Sequence, residues 1–363
     1  MKIIHFELNN FRNIFSTKLD FDQSFNILFG RNGAGKTSLL EAIYFLGMGR
    51  SFRSRCQQAL IKHNNDKFSI FTQIKDDADF DVSIGVERSI NGIPRLRIAQ
   101  ENINTHISIT KLMPIQLIAA KDYRLIESGP EFRRQFLDWG VFHVEHVFLL
   151  YWQKMRRIVK QRNALLKEKV LKIDQLEFWD QELEQIAIEI DRLRANYVEL
   201  LKPVFYDFTA RLLGAGLNIS LEYYAGWDKD LSLKDILKAN LTRDSRFGCT
   251  SFGPHRADIK LTVDDFPVVD ILSRGQQKLL IYALRLAQGL LLKQIKQVNC
   301  IYLIDDLPSE LDDEKAKAVI DILSNMNNQS FITGIDHNIF NIISPQKCRM
   351  FHVKHGEITP FMV

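Results

Sequence analysis

Cysteine is scarce: four residues (Cys56, Cys249, Cys300, Cys348) in a chain of 363, widely spaced and never as a CxxC pair. That excludes a small disulfide-stapled domain and argues against a metal knuckle or redox motif; reduced thiols in a cytoplasmic protein are expected. Long apolar runs are lacking too. The richest, Leu279 to Leu292, is broken by Arg285 and Gln288 and falls short of the roughly 20 residues that span a bilayer. The opening MKIIHFELNNFRNIF has no apolar core before a small-residue cleavage site, so no secretory signal is read. No cluster of His and Asp shows two-metal spacing, and there is no internal repeat or low-complexity tract. Charge of one sign is hardly in excess: 48 Lys plus Arg against 44 Asp plus Glu, a net +4, so composition alone names no polyanionic partner. What is present is ordinary for globular protein, 46% hydrophobic and 25% charged, at a length that allows two or three domains and a sizeable core.

The pattern along the chain is mixed. Ile3 to Leu8, Lys18 to Phe21 and Ser24 to Phe29 read as short strands. The third runs into a glycine-rich turn, and Ser38 to Leu46 then reads as a helix. Further short strands follow between about Phe68 and Ile109, with a hairpin signal at Asn91-Gly92. From about Phe132 to Leu201 the chain is helical. Strands return near Ile219–Tyr224 and Ile259–Val263, followed by a helix from about Gln276 and a buried strand, Cys300–Ile304. The simplest architecture is one α/β domain built from both ends of the chain, residues 1–125 and 246–363, with a helical arm, 126–245, inserted between them.

The arm carries its own repeat. Leu176, Trp179, Leu183, Ile186, Ile190, Leu193, Tyr197 and Leu200 recur at alternating spacings of three and four, the seam of a coiled coil. A weaker seam precedes it: Phe148, Trp152, Met155, Val159, Arg162, Leu166. The first stretch is basic, with Lys154, Arg156, Arg157, Lys160, Arg162, Lys167, Lys169 and Lys172; the second, Asp174 to Glu199, is acidic. Two readings stand. Either the basic helix pairs with the acidic one in an antiparallel hairpin, or it offers a basic face to nucleic acid.

The strongest local signal is Gly30-Arg31-Asn32-Gly33-Ala34-Gly35-Lys36-Thr37, a complete GxxxxGK[ST] between a strand and a helix. Its glycines let successive N–H groups turn toward phosphate oxygens, and the helix adds its positive end. Lys36 is expected at the β- and γ-phosphates and the Thr37 hydroxyl on Mg²⁺. Ile301-Tyr302-Leu303-Ile304-Asp305-Asp306 supplies a second anchor: Asp305 at a buried strand end to hold metal, Asp306 to polarise an attacking water. Leu272-Ser273-Arg274-Gly275-Gln276-Gln277-Lys278 opens a long helix, with Ser273 as N-cap and a second phosphate-binding end. Gln116 is a candidate for sensing metal and γ-phosphate, and Ser309-Glu310-Leu311-Asp312 follows the carboxylates at a suggestive distance.

In this order these motifs resemble the ATP-binding-cassette superfamily, more closely the heads of SMC-type chromosome and repair proteins, and most closely the RecF family of bacterial recombination-mediator ATPases. The resemblance runs along the whole chain and includes Asn10-Phe11-Arg12-Asn13, Arg133 to Gly140, Lys160 to Asn163 and Gly253-Pro254-His255-Arg256. It implies ATP and Mg²⁺ held by Gly30 to Ser38 with Arg12, metal contacts from Thr37, Asp305 and Gln116, and catalysis by Asp306, Lys36 and Gln116. It implies Ser273, Gly275 and Gln276 meeting the nucleotide of a second copy, in an ATP-dependent homodimer. It further implies a weak DNA-dependent ATPase acting as a switch, which clamps duplex near single-strand/double-strand junctions and works with RecR and RecO to place RecA. The candidate DNA contacts are Arg53, Arg55, Arg133, Arg134, Lys154, Arg156, Arg157 and Lys160, of which Arg133 and Arg134 serve equally well as braces of the arm. Three departures are visible, one of them Ala257 after Gly253-Pro254-His255-Arg256, where the family often has an acid. Asp306 stands where most cassette ATPases have Glu, which suggests slow hydrolysis. The segment Phe331-Ile332-Thr333-Gly334-Ile335 lacks the usual switch His, and His337 is not assigned that role. The rivals, a transporter subunit, a structural coiled coil or a nuclease-coupled ATPase, fit less well with the long arm, the intact P-loop and the missing nuclease cluster.

Overall fold

The computed structural model describes residues 1–76, 78–335, 343 and 348–361, with Ser309 described by its backbone alone. The chain forms two compact units, Met1–Asp122 together with Lys278–Val363, and Tyr123–Gln277.

The first unit holds two six-stranded sheets. One is antiparallel, in the order Ile14–Asp20, Lys2–Phe11, Lys67–Lys75, Asp81–Ser89, Arg95–Ile98, Glu101–Ile103. Its strands alternate buried and exposed residues, as a sheet with one wet face must. The expected turn at Asn91-Gly92 lies between the paired strands Asp81–Ser89 and Arg95–Ile98. The other sheet runs Glu357–Phe361, Cys348–Lys354, Phe25–Phe29, Gln329–Gly334, Ile301–Ile304, Ile115–Ile118, with every pair parallel except the first. Phe25–Phe29, Ile115–Ile118, Ile301–Ile304 and Gln329–Gly334 are buried at every position. Parallel strands covered on both faces read as continuous apolar runs, which is why Phe25–Phe29 and Ile301–Ile304 were visible in the sequence. The helix Lys36–Met48 sends Leu39, Leu40, Ile43 and Leu46 into one core with Phe6 and Ile70 of the antiparallel sheet and Leu28, Ile115 and Phe331 of the parallel one.

The second unit is built on three helices, Pro130–Val144, Phe148–Leu165 and Ile173–Leu213, and a three-stranded antiparallel sheet of Ile219–Tyr224, Asp258–Val263 and Phe266–Pro267. This corrects the expected boundary at 245/246. Ile219–Tyr224 pairs with Asp258–Val263, so residues up to Gln277 belong with the arm. The seams also shift. Leu176, Leu183, Ile186, Ile190, Leu193 and Tyr197 are buried as expected, but Leu201 is buried where Leu200 was expected, and Ile158 where Val159 was. A straight helix drifts about 20° per heptad from the 3.5-residue repeat, which carries the buried stripe toward later positions and accounts for Leu201; the earlier shift to Ile158 runs the other way and has no such explanation.

The two helices pair by charge. Lys154 reaches Glu182 at 2.9 Å, and Arg162, fully buried, reaches Asp180 at 2.5 Å and Asp244 at 2.7 Å. Arg156 lies over the Trp152 ring at 4.7 Å, while Arg157 and Lys160 remain exposed. The pairing reading therefore holds for Lys154 and Arg162, while Arg157 and Lys160 are left open to solvent. Arg194 donates to Asp138 (2.7 Å) and to the Pro254 carbonyl (2.6 Å), so the 133–140 and 253–256 blocks meet inside this unit. Among the described residues no helix is long and apolar enough to cross a membrane.

Candidate nucleotide site

In the parallel sheet the register sets Ile304 beside Ile332 and Phe29 beside Gly334. The carboxyl ends of these three strands are therefore level, and the segments that follow them meet. Ligands of open α/β sheets bind at such an edge.

The loop 30–37 needs its glycines for steric reasons. Gly30 has φ +148°, and a Cβ there would lie 2.2 Å from the Val353 carbonyl oxygen. At Gly35 (φ +122°) it would lie 2.9 Å from Asn13 Nδ2, which itself donates to the Ala34 carbonyl at 3.0 Å. Gly33 (φ +78°) faces open space. Lys36 is buried at the helix start, and its ammonium donates to the carbonyls of Gly30 and Arg31, the second at 3.2 Å. Burial holds the Lys36 pKa below its ordinary value, against the opposing pull of Asp306 and Asp305.

Thr37 Oγ1 donates to Asp305, 3.0 Å to Oδ1 and 3.3 Å to Oδ2. Asp305 Oδ1 also accepts from Thr333 Oγ1 at 2.8 Å, and its N–H donates to Ile118 O at 2.9 Å. Burial raises the Asp305 pKa above the ordinary carboxylate value; the bonds from Thr333 and Thr37 oppose this, and the charge of Asp306 adds to it. Asp306 follows in the left-handed region, φ 63° and ψ 43°, with its N–H donating to Thr333 Oγ1 at 2.7 Å. Asp306 Oδ1 is buried and lacks a hydrogen-bond partner among the described residues. Hard oxygen donors from Thr37 and Asp305, a neighbouring orphaned carboxylate oxygen and a carboxylate pressed toward protonation are a donor set that fits Mg²⁺.

Arg12 was expected on the nucleotide. Its guanidinium instead grips the fully buried Glu41 carboxylate, at 2.9 Å through Nε and 2.7 Å through Nη2, and Nη1 donates to Ala59 O at 2.6 Å. Ser51 also binds Glu41, and Arg53 approaches it at 3.5 Å. Glu41 sits one helical turn after Thr37, and a lone acid in an apolar helix was the available clue to it. Ser38 is buried beside Lys36, whereas Arg31 and Asn32 are exposed.

Gln116 is corrected. It pairs in register with Tyr302, three residues short of Asp305, and is 1% exposed. Its amide donates to Gln288 at 3.2 Å and accepts from Arg285 at 3.3 Å. Three strand residues amount to about 10 Å, so Gln116 is a core residue rather than a metal or γ-phosphate sensor. Of the two readings of Arg133 the brace is the one the geometry favours: Nε and Nη2 bind Asp258 at 2.7 and 2.8 Å and Nη1 binds Ser128 O at 2.8 Å. Arg134 is half-buried and spends Nη1 on Ala257 O at 2.8 Å. Arg53 and Arg55 are exposed. His337 and the Ser309 side chain lie outside the described residues.

Ser273, near the end of the second unit, caps the start of the helix Arg274–Lys296 as expected, through a reciprocal pair: Gln276 N–H donates to Ser273 Oγ at 3.3 Å, and Ser273 N–H donates to Gln276 Oε1 at 2.9 Å. Ser273 and Gly275 are exposed, and Arg274 is anchored by Glu127. In the first unit Lys278 reaches Glu310 at 2.7 Å.

A glycine cradle on a parallel sheet, facing a threonine and paired aspartates, defines the class: a P-loop ATPase head of the cassette type. The family model described as RecF/RecN/SMC N terminal domain matches residues 2–359. The DNA replication and repair protein RecF of Coxiella burnetii (strain RSA 493 / Nine Mile phase I) is 44% identical, with 97% of each chain covered. That of Stutzerimonas stutzeri (strain A1501) is 41% identical, covering 99% of this chain and 97% of its own. A solved structure of the recombination mediator protein RecF with ATP in the RecFOR pathway superposes with TM-score 0.89 at 26% identity, over 99% of this chain and 98% of that one. An SMC head bound to the C-terminal winged helix of ScpA shares the fold, with TM-score 0.63 at 15% identity over 100% of this chain and 98% of that one. The chain belongs to the RecF family.

Proposed function

We propose that this chain is an ATP-dependent DNA-binding protein of recombinational gap repair and replication-fork maintenance, in which nucleotide works as a switch rather than as fuel for a motor. The observation that carries the reading is Thr37 Oγ1 at 3.0 Å from Asp305, with the unpartnered Asp306 carboxylate oxygen on the next residue. The loop N–H groups and the start of the Lys36–Met48 helix receive the phosphates. Lys36 exchanges its two carbonyl contacts for charge-assisted bonds to the β- and γ-oxygens. Thr37 and Asp305 would hold Mg²⁺, which would supply neutralisation of the phosphate charge. Asp306 orients a water and takes its proton; one methylene shorter than Glu, it does so slowly.

Ser273 and Gly275 stand exposed at the start of a 23-residue helix. In this reading they meet the γ-phosphate bound to a second copy, so ATP closes a two-fold dimer and hydrolysis opens it. The closed dimer clamps duplex near single-strand/double-strand junctions, with the exposed Arg157, Lys160, Arg156, Arg53 and Arg55 facing phosphate. The RecFOR pathway named for the solved relative supports RecR and RecO as partners in placing RecA. The test is binding to gapped against intact duplex, with and without ATP. ATP should strengthen binding to the gapped DNA in the parent chain and not in Lys36→Arg. Binding indifferent to ATP would defeat the reading.

A further inference from the structure

The strand Gln329–Gly334 ends beside the two aspartates, and its Thr333 is fully buried. Ile332 pairs with Ile304, so Thr333 is level with Asp305. One hydroxyl there makes two bonds. Its proton goes to Asp305 Oδ1 at 2.8 Å, and its oxygen accepts the Asp306 N–H at 2.7 Å. A hydroxyl has one proton and two lone pairs, so both bonds form together and their directions are fixed. Asp306 needs such a hold. With φ 63° it occupies a region that a non-glycine residue adopts only when its surroundings over-determine it.

We infer that Thr333 is the positioning residue that couples Asp305, on the metal side, to Asp306, on the water side. The inference rests on the nucleotide reading above. It adds that moving either aspartate moves the other, because they share one hydroxyl. A valine has the same shape and can make neither bond; a serine can make both.

The experiment compares the parent chain with Thr333→Val and Thr333→Ser. Exchange of the Asp306 amide is followed in nucleotide-free protein, ATP affinity is measured in excess chelator, and turnover is measured across a Mg²⁺ titration. Thr333→Val should lose protection at the Asp306 amide and raise the Mg²⁺ needed for half-maximal turnover by about 10–100-fold. ATP affinity without metal should stay at the parent value. Thr333→Ser should recover both the exchange protection and the Mg²⁺ dependence. Thr333→Val with parental exchange and parental Mg²⁺ dependence would overturn the inference, as would Thr333→Ser as impaired as Thr333→Val. An equal loss of metal-free ATP affinity would overturn it too, since that marks general collapse of the loop. A parent chain without turnover would sink the ATPase reading instead, and the amide exchange would still decide whether Thr333 holds Asp306.

Discussion

Replacing Arg162 by Met should cost the arm about 3–5 kcal/mol, the usual penalty for removing one side of a buried ion pair. Arg162 is fully buried and, among the described residues, is the cation that pairs with Asp180, 5% exposed, and Asp244, fully buried. Met keeps most of the apolar stem and leaves both carboxylates without a cation. The exposed Lys154–Glu182 pair, by contrast, contributes about 0–1 kcal/mol. Burial already raises the Asp180 pKa above the ordinary carboxylate value, and Arg162 holds it down. Without Arg162 it rises further. A carboxylate whose folded pKa lies above its unfolded value takes up a proton on folding. The deficit of the variant against the parent is therefore full near neutrality and shrinks as pH falls through the raised value. Urea unfolding can be followed through Trp179, which packs beside Leu165, Leu166 and Leu176. Asp180→Asn together with Asp244→Asn in the Met background should recover most of the loss. A deficit below about 1 kcal/mol, constant with pH, would refute the claim that this ion network holds the helices together.

Acid should weaken the same unit through two histidines. Burial lowers the pKa of His143 to about 3 and of His255 to about 4, so each stays neutral in the fold while the unfolded chain protonates near 6.5. Their contribution is complete above that value and is lost below it, about 1.4 kcal/mol each at one pH unit lower; the urea midpoint against pH measures it, and His143→Phe should flatten the slope. Gly30→Ala should abolish ATP binding, because its Cβ would sit 2.2 Å from Val353 O. Gly33→Ala, with open space around it, should cost only the roughly 1–2 kcal/mol of a left-handed alanine, read as a small Tm shift. Arg157→Ala and Lys160→Ala should each lower the salt dependence of DNA binding by about one phosphate contact and leave stability within about 0.5 kcal/mol. Arg133→Ala should do the reverse, losing stability at an unchanged salt slope.

The P-loop, the aspartate pair and the capped helix were legible because each is a local pattern: glycines where φ is positive, a continuous apolar strand closed by acids, a serine three residues before a glutamine. Two of the parallel strands, Phe25–Phe29 and Ile301–Ile304, were legible because burial on both faces makes them apolar throughout. Gln116 was misread because sequence order does not give register; only the pairing with Tyr302 shows how far it lies from Asp305. Thr333 was missed because a threonine in a strand is unremarkable until its hydroxyl is seen to lie between two aspartates. The boundary near 245 failed for a non-local reason, the pairing of Ile219–Tyr224 with a strand that begins 34 residues after it ends. The fate of Arg12 turned on Glu41, whose acid lies 29 positions away and whose burial no local pattern announces.

Sedimentation velocity of the parent chain and of Ser273→Arg, each with and without ATP, bears most directly on the switch. ATP should double the sedimenting mass of the parent and leave Ser273→Arg monomeric. A dimer that forms with ATP in Ser273→Arg as readily as in the parent, or a parent that stays monomeric with ATP bound, would contradict it.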